Sequence, residues 1–470
     1  MGFTWIVREQ FPMKCKNKNF LNIQKIFLYL MCIVGLIPDS ALGALPVMPV
    51  LDSGDTAWML ISSALVLLMT IPGLALFYAG MVRKKNVLAT MMQSFAICCL
   101  VTLIWITVGY SLVFTTGNSF IGNLSQFMLN GILGNYHMGV DKGFILGANG
   151  NNPVIMTIPQ SVYVMFQMTF IIISVAILVG SVAERIKFSA LCIFCILWAL
   201  FSYVPVAYWV WNPTGWLANL GAIDFAGGTV VHINAGIAGL ICALVAGKRL
   251  GYGRSDLAPH NVGYAVMGAS LLWVGWFGFN GGSALGANGR AAMAVLVTQI
   301  AAAAGGIGWM SIEWTIRKKP TVLGIVSGAV AGLVVITPAA GFVMPGPALL
   351  MGFLGGLICF WSCSYLKRKL GYDDSLDAFG IHGMGGIIGA ILTGVFAFGP
   401  LSATETDPVG ISASLHLVIA QIEAVVVTII WSSLVSFVLL KIIDFLIGLR
   451  VDTDSERQGL DMVLHNEQIN

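Results

Sequence analysis

The chain contains 470 residues, of which 57% are hydrophobic and 10% are charged. A soluble protein has about 25% charged residues, because its surface must stay hydrated. The mean hydropathy of +0.88 and the balance of 24 basic against 21 acidic residues argue against a disordered chain, a nucleic-acid-binding protein and a soluble enzyme. The composition therefore predicts an all-α, polytopic membrane protein.

Residues 1–43 have the pattern of a secretory signal peptide. Four lysines between residues 14 and 25 precede an apolar stretch of 12 residues, 26–37, and the small residues Ala41 and Gly43 follow. This stretch is shorter than the roughly 20 residues that a bilayer-crossing helix needs. The alternative is a retained first transmembrane helix, which we favour less. Cleavage after Gly43 would leave the mature N-terminus outside the cell.

Eleven long apolar runs follow within residues 52–447, the predicted transmembrane domain, and residues 448–470 form a polar tail. Most of the runs are long enough to cross a bilayer as a helix. Because their number is odd, the two mature termini should face opposite sides of the membrane. The runs lie at about 57–80, 90–114, 160–183, 188–210, 227–247, 262–284, 291–315, 321–337, 347–366, 381–399 and 414–446.

Basic residues predict the direction of the spans. Loops on one side of the predicted membrane carry fourteen lysines and arginines, whereas the opposite loops carry only Lys142 and Arg290. Cytoplasmic loops are enriched in basic residues, so the first set, and with it the C-terminal tail, should be cytoplasmic. The fourteen are Arg83, Lys84, Lys85, Arg185, Lys187, Lys248, Arg249, Arg254, Arg317, Lys318, Lys319, Lys367, Arg368 and Lys369.

The fifth and tenth runs share a histidine motif. Each reads H-x-x-x-G-I-x-G, beginning at His232 in the fifth run and at His382 in the tenth. Runs that lie five apart cross the membrane in opposite directions, which is the mark of an inverted-topology repeat. We therefore predict an inverted 5+5 repeat, formed by spans 1–5 (about 57–247) and 6–10 (about 262–399), with span 11 outside the symmetry.

The two histidines are candidates for the lining of a pore. A single intramembrane histidine is usually a helix-packing residue, but two in symmetry-related spans are more typical of a transport pathway. Asp224 and Asp377 precede the histidines, each where a carboxylate can cap the first N–H groups of a helix. For Asp224 we favour a buried structural anion near the outer mouth over a direct proton acceptor.

Aromatic residues gather near the predicted outer face. Phe166 and Phe170 lie one helical turn apart on one face of the third span. A cluster that includes Trp209, Trp211 and Trp216 is usually explained by a belt at the lipid interface. The long outer loop, residues 116–159, contains nothing that suggests chemistry.

Five stretches of the chain resemble the ammonium transporter family, and most closely its bacterial branch within the ammonium transporter, methylammonium permease and Rhesus superfamily. The similarity extends from about residue 52 to the C-terminus, and the run that ends near His232 is the most specific. The five stretches are 72–78, 183–188, 224–234, 275–280 and 379–383.

The resemblance implies a role for individual residues. It assigns the outer ammonium site to Trp211, Phe170 and Ser283, and a pore gate to the rings of Phe170 and Phe279. It places two histidines and two aromatic residues on the pore wall, and Phe166 shares the pore-facing side of Phe170. The wall residues are His232, His382, Trp276 and Phe77. Neither a cofactor nor a metal is expected.

The resemblance also implies a function. Ammonium would be recruited from outside, deprotonated and passed as ammonia across the bacterial cytoplasmic (inner) membrane, for nitrogen uptake by a homotrimer. A PII signal-transduction protein would be a partner at the cytoplasmic tail. The alternatives are a channel for another small neutral molecule, such as water or carbon dioxide, and an ammonium sensor that signals through its tail. An enzyme is disfavoured, because neither H-E-x-x-H nor G-x-S-x-G occurs.

Overall fold

The computed structural model describes residues 49–132, 143–147, 154–254, 257–404 and 407–469. The predicted signal peptide lies outside the described residues. Within them, helices dominate, and the strands are limited to one antiparallel hairpin of β1 (Phe144–Leu146) and β2 (Val154–Met156). The predicted all-α membrane class is confirmed.

Eleven helices coincide with the eleven predicted runs. Ten of them are long and apolar enough to cross a membrane, whereas α8 has only 15 residues. Pro338, which lacks a backbone N–H, closely follows the end of α8. The helices are α1 (Ser53–Met81), α2 (Lys84–Phe114), α3 (Gln160–Val182), α4 (Phe188–Asn219), α5 (Gly228–Ala246), α6 (Val262–Gly282), α7 (Gly289–Arg317), α8 (Val322–Ile336), α9 (Pro345–Leu370), α10 (Phe379–Phe396) and α11 (Leu415–Ile447).

Helices α5 and α10 both begin with a wide π-helical turn, and each of these turns carries one of the two histidines. The turns span Gly228–Ile233 and Phe379–Gly383. Gly227, just before the first turn, has a φ of +101°, a left-handed conformation that glycine adopts without a steric penalty. Single π-helical turns of this kind are frequent at functional sites.

Glycines allow α5 and α10 to cross in direct backbone contact. A Cβ added to Gly236 in α5 would lie 2.2 Å from the backbone nitrogen of Gly383 in the first turn of α10. Reciprocally, a Cβ on Gly386 would lie 2.8 Å from the carbonyl oxygen of Gly228 in the first turn of α5. The start of each helix therefore contacts the body of the other. The two helices run antiparallel, in agreement with an inverted repeat.

An ion-pair network joins the loops at one end of the bundle, which we call the basic end. The buried carboxylate of Glu184 is 3.1 Å from Arg83 and 3.0 Å from Arg249, and Arg249 also pairs with Asp373 at 2.8 Å. Burial alone would raise the pKa of Glu184, but the two guanidinium groups hold it below its usual value. We call the opposite end of the bundle, where β1 and β2 lie, the hairpin end.

The polar tail folds onto the basic end. After α11 the chain forms two short helices, α12 (Thr453–Gln458) and α13 (Leu460–His465). The carboxylate of Asp461 accepts hydrogen bonds from the backbone N–H groups of Leu88 (3.1 Å) and Ala89 (2.8 Å) near the start of α2. The tail thus caps a membrane-spanning helix of the same chain.

Enlarging the glycine at the crossing should destabilise the fold. We expect Gly236→Ala to lower the free energy of unfolding by about 1–3 kcal/mol, because its methyl group meets backbone atoms that cannot move aside easily. Thermal melting of the purified protein in detergent measures the effect. Gly346→Ala is the control, since a Cβ there meets nothing within 4 Å. Equal melting temperatures for the two variants would contradict the close packing.

Candidate functional site

A cavity at the hairpin end of the bundle, which we call the vestibule, has a volume of about 120 Å³. Most of its wall is aromatic or aliphatic, and among the described residues three contribute polar side chains, namely Tyr163, Gln167 and Ser283. Four of the predicted site residues line it, namely Phe166, Phe170, Trp211 and Ser283. Its other lining residues are Leu146, Val154, Met156, Tyr163, Gln167, Phe225 and Leu285.

Two stacked phenylalanine rings lie at the inner boundary of the vestibule. The ring centroids of Phe170 and Phe279 are 4.2 Å apart, and the ring planes differ by 11°. Phe170 lines the vestibule, whereas Phe279 lines a second cavity deeper in the bundle. Trp211 and Phe166 pack edge-on against Phe170, with centroid distances of 5.7 Å and 4.9 Å. The stacked pair therefore separates the two cavities.

The second cavity, which we call the inner cavity, is much smaller. Its volume of about 10 Å³ accommodates roughly one water-sized molecule. All its lining side chains are aliphatic or aromatic except the two imidazoles. Five of the predicted site residues contribute to it, namely Phe77, Trp276, Phe279, His232 and His382, together with Met69, Leu74, Ile173, Ile177, Leu272 and Val330.

The two histidines are in direct contact. Their Nδ1 atoms lie 3.2 Å apart, and the rings are nearly parallel, with centroids 5.2 Å apart. A hydrogen bond between two Nδ1 atoms requires one of them to carry a proton and the other to accept it. In the neutral ring whose Nδ1 carries the proton, Nε2 is then an acceptor. In the other ring, Nε2 carries the proton and is a donor. Both imidazoles are buried, and His232 Nε2 has no partner within the described part of the chain.

An aromatic residue and a threonine hold the imidazole of His232 in place. The ring of Trp276 stacks on His232 with a centroid distance of 5.4 Å and an interplanar angle of 20°. Its Nε1 donates to the hydroxyl of Thr337 at 2.8 Å, and that hydroxyl donates to the carbonyl of Leu333. The indole is therefore fixed at both its face and its edge.

Asp224 caps the helix that carries His232. Its two carboxylate oxygens accept four backbone N–H groups, those of residues 227–230, at 2.6–3.0 Å. Burial raises the pKa of this carboxyl, and the four donors act in the opposite direction. The backbone carbonyl of Asp224 also accepts a bond from Trp211 Nε1 at 2.9 Å. Asp224 lines neither cavity, so its visible contacts are those of a helix cap.

The assignment of Asp377 as the matching cap of α10 is wrong. Asp374 occupies that position and accepts the N–H groups of Ala378 (3.1 Å) and Phe379 (2.8 Å). Asp377 instead has a φ of +57° and pairs with Lys367 at 2.8 Å. Asp374 precedes its histidine by eight residues, as Asp224 does, and this equal spacing was the sequence signal that distinguishes the two aspartates.

Ser283 is one of the polar residues that line the vestibule. It directly follows α6 and donates its hydroxyl proton to the carbonyl of Phe279 at 2.8 Å. The lone pairs of its oxygen remain available to a donor in the vestibule. As for a metal site, the described residues contain no group of three or more His, Cys, Asp or Glu side chains that could hold an ion.

Sequence reasoning missed several residues of the vestibule. Tyr163 and Gln167 lie on the same face of α3 as Phe170, so the helical spacing that identified Phe166 could have found them as well. Three others, Leu146, Val154 and Met156, come from the β-hairpin within a loop that we expected to carry no site residue. No periodic pattern in that loop indicates their position.

Comparison with known proteins identifies the family. The family model described as Ammonium Transporter Family matches residues 57–469. This chain belongs to the ammonium transporter family. It is 47% identical over 418 residues to an ammonium transporter of Bacillus subtilis (strain 168), a match that covers 89% of this chain and 98% of that protein. An ammonium transporter of Aquifex aeolicus (strain VF5) is also 47% identical, with 89% and 93% covered.

Solved structures of this family share the fold. The crystal structure of Mep2 from Candida albicans is similar with a TM-score of 0.76 and 33% identity, over 86% of this chain and 87% of that one. A structure described as a sensor Amt protein matches with a TM-score of 0.76 and 27% identity, over 88% of this chain and 98% of that one.

The ionisation of Asp374 should make stability depend on pH. Burial raises its pKa to about 6 in the folded protein, against about 3.9 in an unfolded chain. The folded state binds the proton of Asp374 more tightly than the unfolded chain does. The protonated carboxyl therefore contributes fully to the free energy of unfolding below about pH 4, and this contribution is lost as the pH rises through about 6. Complete ionisation of Asp374 lowers the free energy of unfolding by about 2–3 kcal/mol.

We therefore expect the stability of the wild type relative to Asp374→Asn, which does not titrate, to decrease between pH 4 and 7. Melting temperatures of both proteins across this range provide the comparison. A difference that stays constant over the range would contradict a raised pKa for Asp374.

Proposed function

We propose that this protein transports ammonium across a membrane by removing its charge between the vestibule and the inner cavity. The observation that carries the proposal is the order of the two cavities. An aromatic vestibule with polar acceptors leads, past two stacked rings, to a small apolar cavity with two imidazoles. The names of the relatives, which are ammonium transporters, support the same substrate.

In this proposal the vestibule recruits the cation. The indole of Trp211 and the ring of Phe170 present π-electrons to the vestibule, and Ser283 supplies a hydroxyl oxygen. A cation on the face of a Trp gains about 2 kcal/mol or more once it is partly desolvated. This attraction alone does not separate ammonium from potassium, because the two ions are similar in size and charge.

The inner cavity then selects by chemistry. A charge inside an apolar membrane protein costs roughly 2.5–3.5 kcal/mol even on lenient insertion scales. Ammonium escapes this cost by releasing a proton and entering as ammonia, whereas potassium has no proton to release. Stacked rings of Phe170 and Phe279 would act as the gate at which the hydrated ion is stopped. We infer that the released proton crosses separately, so that net transport carries charge.

The two imidazoles would guide ammonia through the inner cavity. In the shared-proton arrangement one Nε2 accepts and the other donates, which matches a molecule that both donates and accepts hydrogen bonds. The same pair could relay the released proton. Phe77 and Trp276 would form the apolar wall, Phe166 would support Phe170, and Asp224 would be the structural anion that caps α5.

The alternative functions are less well supported. A pore for carbon dioxide needs neither cation–π contacts nor hydroxyl acceptors in its vestibule. A structural relative described as a sensor Amt protein is 27% identical to this chain, whereas curated relatives at 47% identity are named ammonium transporters. Catalysis is not needed to account for any of the described site residues.

We also propose a placement in the bacterial inner membrane. Residues 1–43 would be removed as a signal peptide, residues 52–447 would form the transmembrane domain with its 5+5 repeat, and residues 448–470 would be the cytoplasmic tail. The basic loops support a cytoplasmic basic end, with the mature N-terminus outside. Family resemblance supports a homotrimer and a PII-type partner, which would meet the docked tail at the basic end.

Removing one imidazole should weaken the discrimination against potassium. We expect His232→Ala to pass a measurable potassium current, because the enlarged and wetter inner cavity lowers the cost of an intact cation. The ratio of potassium current to ammonium current is measured on purified protein in liposomes, after pulses of each ion. His260→Ala is the control, since this residue lies in a loop outside both cavities. Unchanged preference for ammonium in His232→Ala would count against the proposed role.

A further inference from the structure

Gln167 is a buried polar residue of the vestibule with an unused hydrogen-bond acceptor. It lies in α3, is only 8% exposed and lines the vestibule. Its Nε2 donates to the hydroxyl of Tyr163 at 3.3 Å. Its Oε1 has no partner within the described part of the chain. A buried acceptor without a donor is costly, so such a group in a native protein requires an explanation.

The position of Gln167 matches that of Ser283 on the other ring-bearing helix. Gln167 precedes Phe170 by three residues, on the side of the hairpin end. Ser283 follows Phe279 by four residues, also on the side of the hairpin end, because α6 runs in the direction opposite to α3. Each helix that supplies a ring of the stacked pair thus also supplies a polar side chain to the vestibule about one helical turn from that ring, on the side of the hairpin end.

The chemistry of these two side chains suits a cation that only donates hydrogen bonds. The hydroxyl of Ser283 has already given its proton to the carbonyl of Phe279, so its oxygen can only accept from a guest. The amide of Gln167 donates one N–H to Tyr163, and its Oε1, which has no partner among the described residues, is likewise an acceptor. Ammonium has four N–H donors and no acceptor, so it complements both groups.

We propose that Oε1 of Gln167 is a second hydrogen-bond acceptor for ammonium in the vestibule and a determinant of its specificity. This inference rests on the proposed transport of ammonium. Two acceptors, on two different helices, hold a guest that has N–H donors directed to both. A methyl group on the guest cannot satisfy an acceptor, so methylammonium is bound less favourably if its methyl faces either side chain.

The test replaces the amide by an apolar group of similar size. Gln167→Leu should raise the KM for ammonium roughly tenfold, because a charge-assisted hydrogen bond is lost. The KM for methylammonium should rise less, because its methyl group can contact the new apolar wall. The ammonium-to-methylammonium preference therefore falls. Both constants come from current amplitudes of purified protein in liposomes at increasing substrate concentration.

A matched control exists on the same helix. Gln160 also donates its amide N–H to a tyrosine hydroxyl, that of Tyr110 at 3.0 Å, but it does not line the vestibule. Gln160→Leu should leave both KM values and their ratio unchanged. A shift in Gln160→Leu that equals the shift in Gln167→Leu would overturn the proposal, since it would trace the effect to helix packing.

A second variant separates binding from a structural role. Gln167→Glu keeps the oxygen and adds a negative charge, but it loses the N–H that reaches Tyr163. If Oε1 binds the cation, this variant has a KM for ammonium at or below that of the wild type. If Gln167 only positions Tyr163, Glu and Leu raise the KM alike, and the proposal fails.

The wild type distinguishes this inference from the proposed function. An ammonium current in the wild type together with an unchanged KM and preference in Gln167→Leu would overturn only the role of Gln167. No ammonium current in folded wild-type protein would overturn the transport function itself, and the present inference with it.

Discussion

The hydrogen bond between the Nδ1 atoms of His232 and His382 is the interaction on which the rest of the structure depends. It forms between two helices from different halves of the chain, inside a cavity with otherwise apolar walls. Because one Nδ1 must accept, the two rings cannot both be imidazolium cations while this bond exists. A pair constrained in this way presents hydrogen-bonding groups to a guest without placing a double positive charge in its path.

Several local features serve this contact. Glycines let α5 and α10 approach until their backbones touch, and the reciprocal positions of Gly236 and Gly386 make the approach symmetric. Carboxylates of Asp224 and Asp374 cap the two helices eight residues before each imidazole, and so satisfy N–H groups that would otherwise be buried without partners. The caps therefore satisfy N–H groups at the starts of both helices, and the wall of the inner cavity is apolar apart from the two imidazoles.

The sequence predicts much of this because bilayers impose strong rules. The apolar runs gave eleven helices, and the repeated H-x-x-x-G-I-x-G motif indicated which two helices meet. The motif also contains the information on which aspartate caps α10, because Asp374 precedes its histidine by eight residues, as Asp224 does, whereas Asp377 precedes it by five and has a positive φ. The contribution of Met156 could not be predicted, because a short hairpin in a polar loop has no hydrophobic period. Gln167 was predictable in position but not in chemistry, because its free acceptor depends on where Tyr163 lies.

The central claim is that a guest enters the inner cavity only after it has lost its charge as a proton. Current recording from purified wild-type protein in a planar lipid bilayer tests it most directly, with ammonium and potassium gradients of equal size applied in turn. The account predicts a current with ammonium and none with potassium, although both cations can bind an aromatic vestibule. Potassium currents comparable to those of ammonium would show that an intact cation crosses, and would contradict the account.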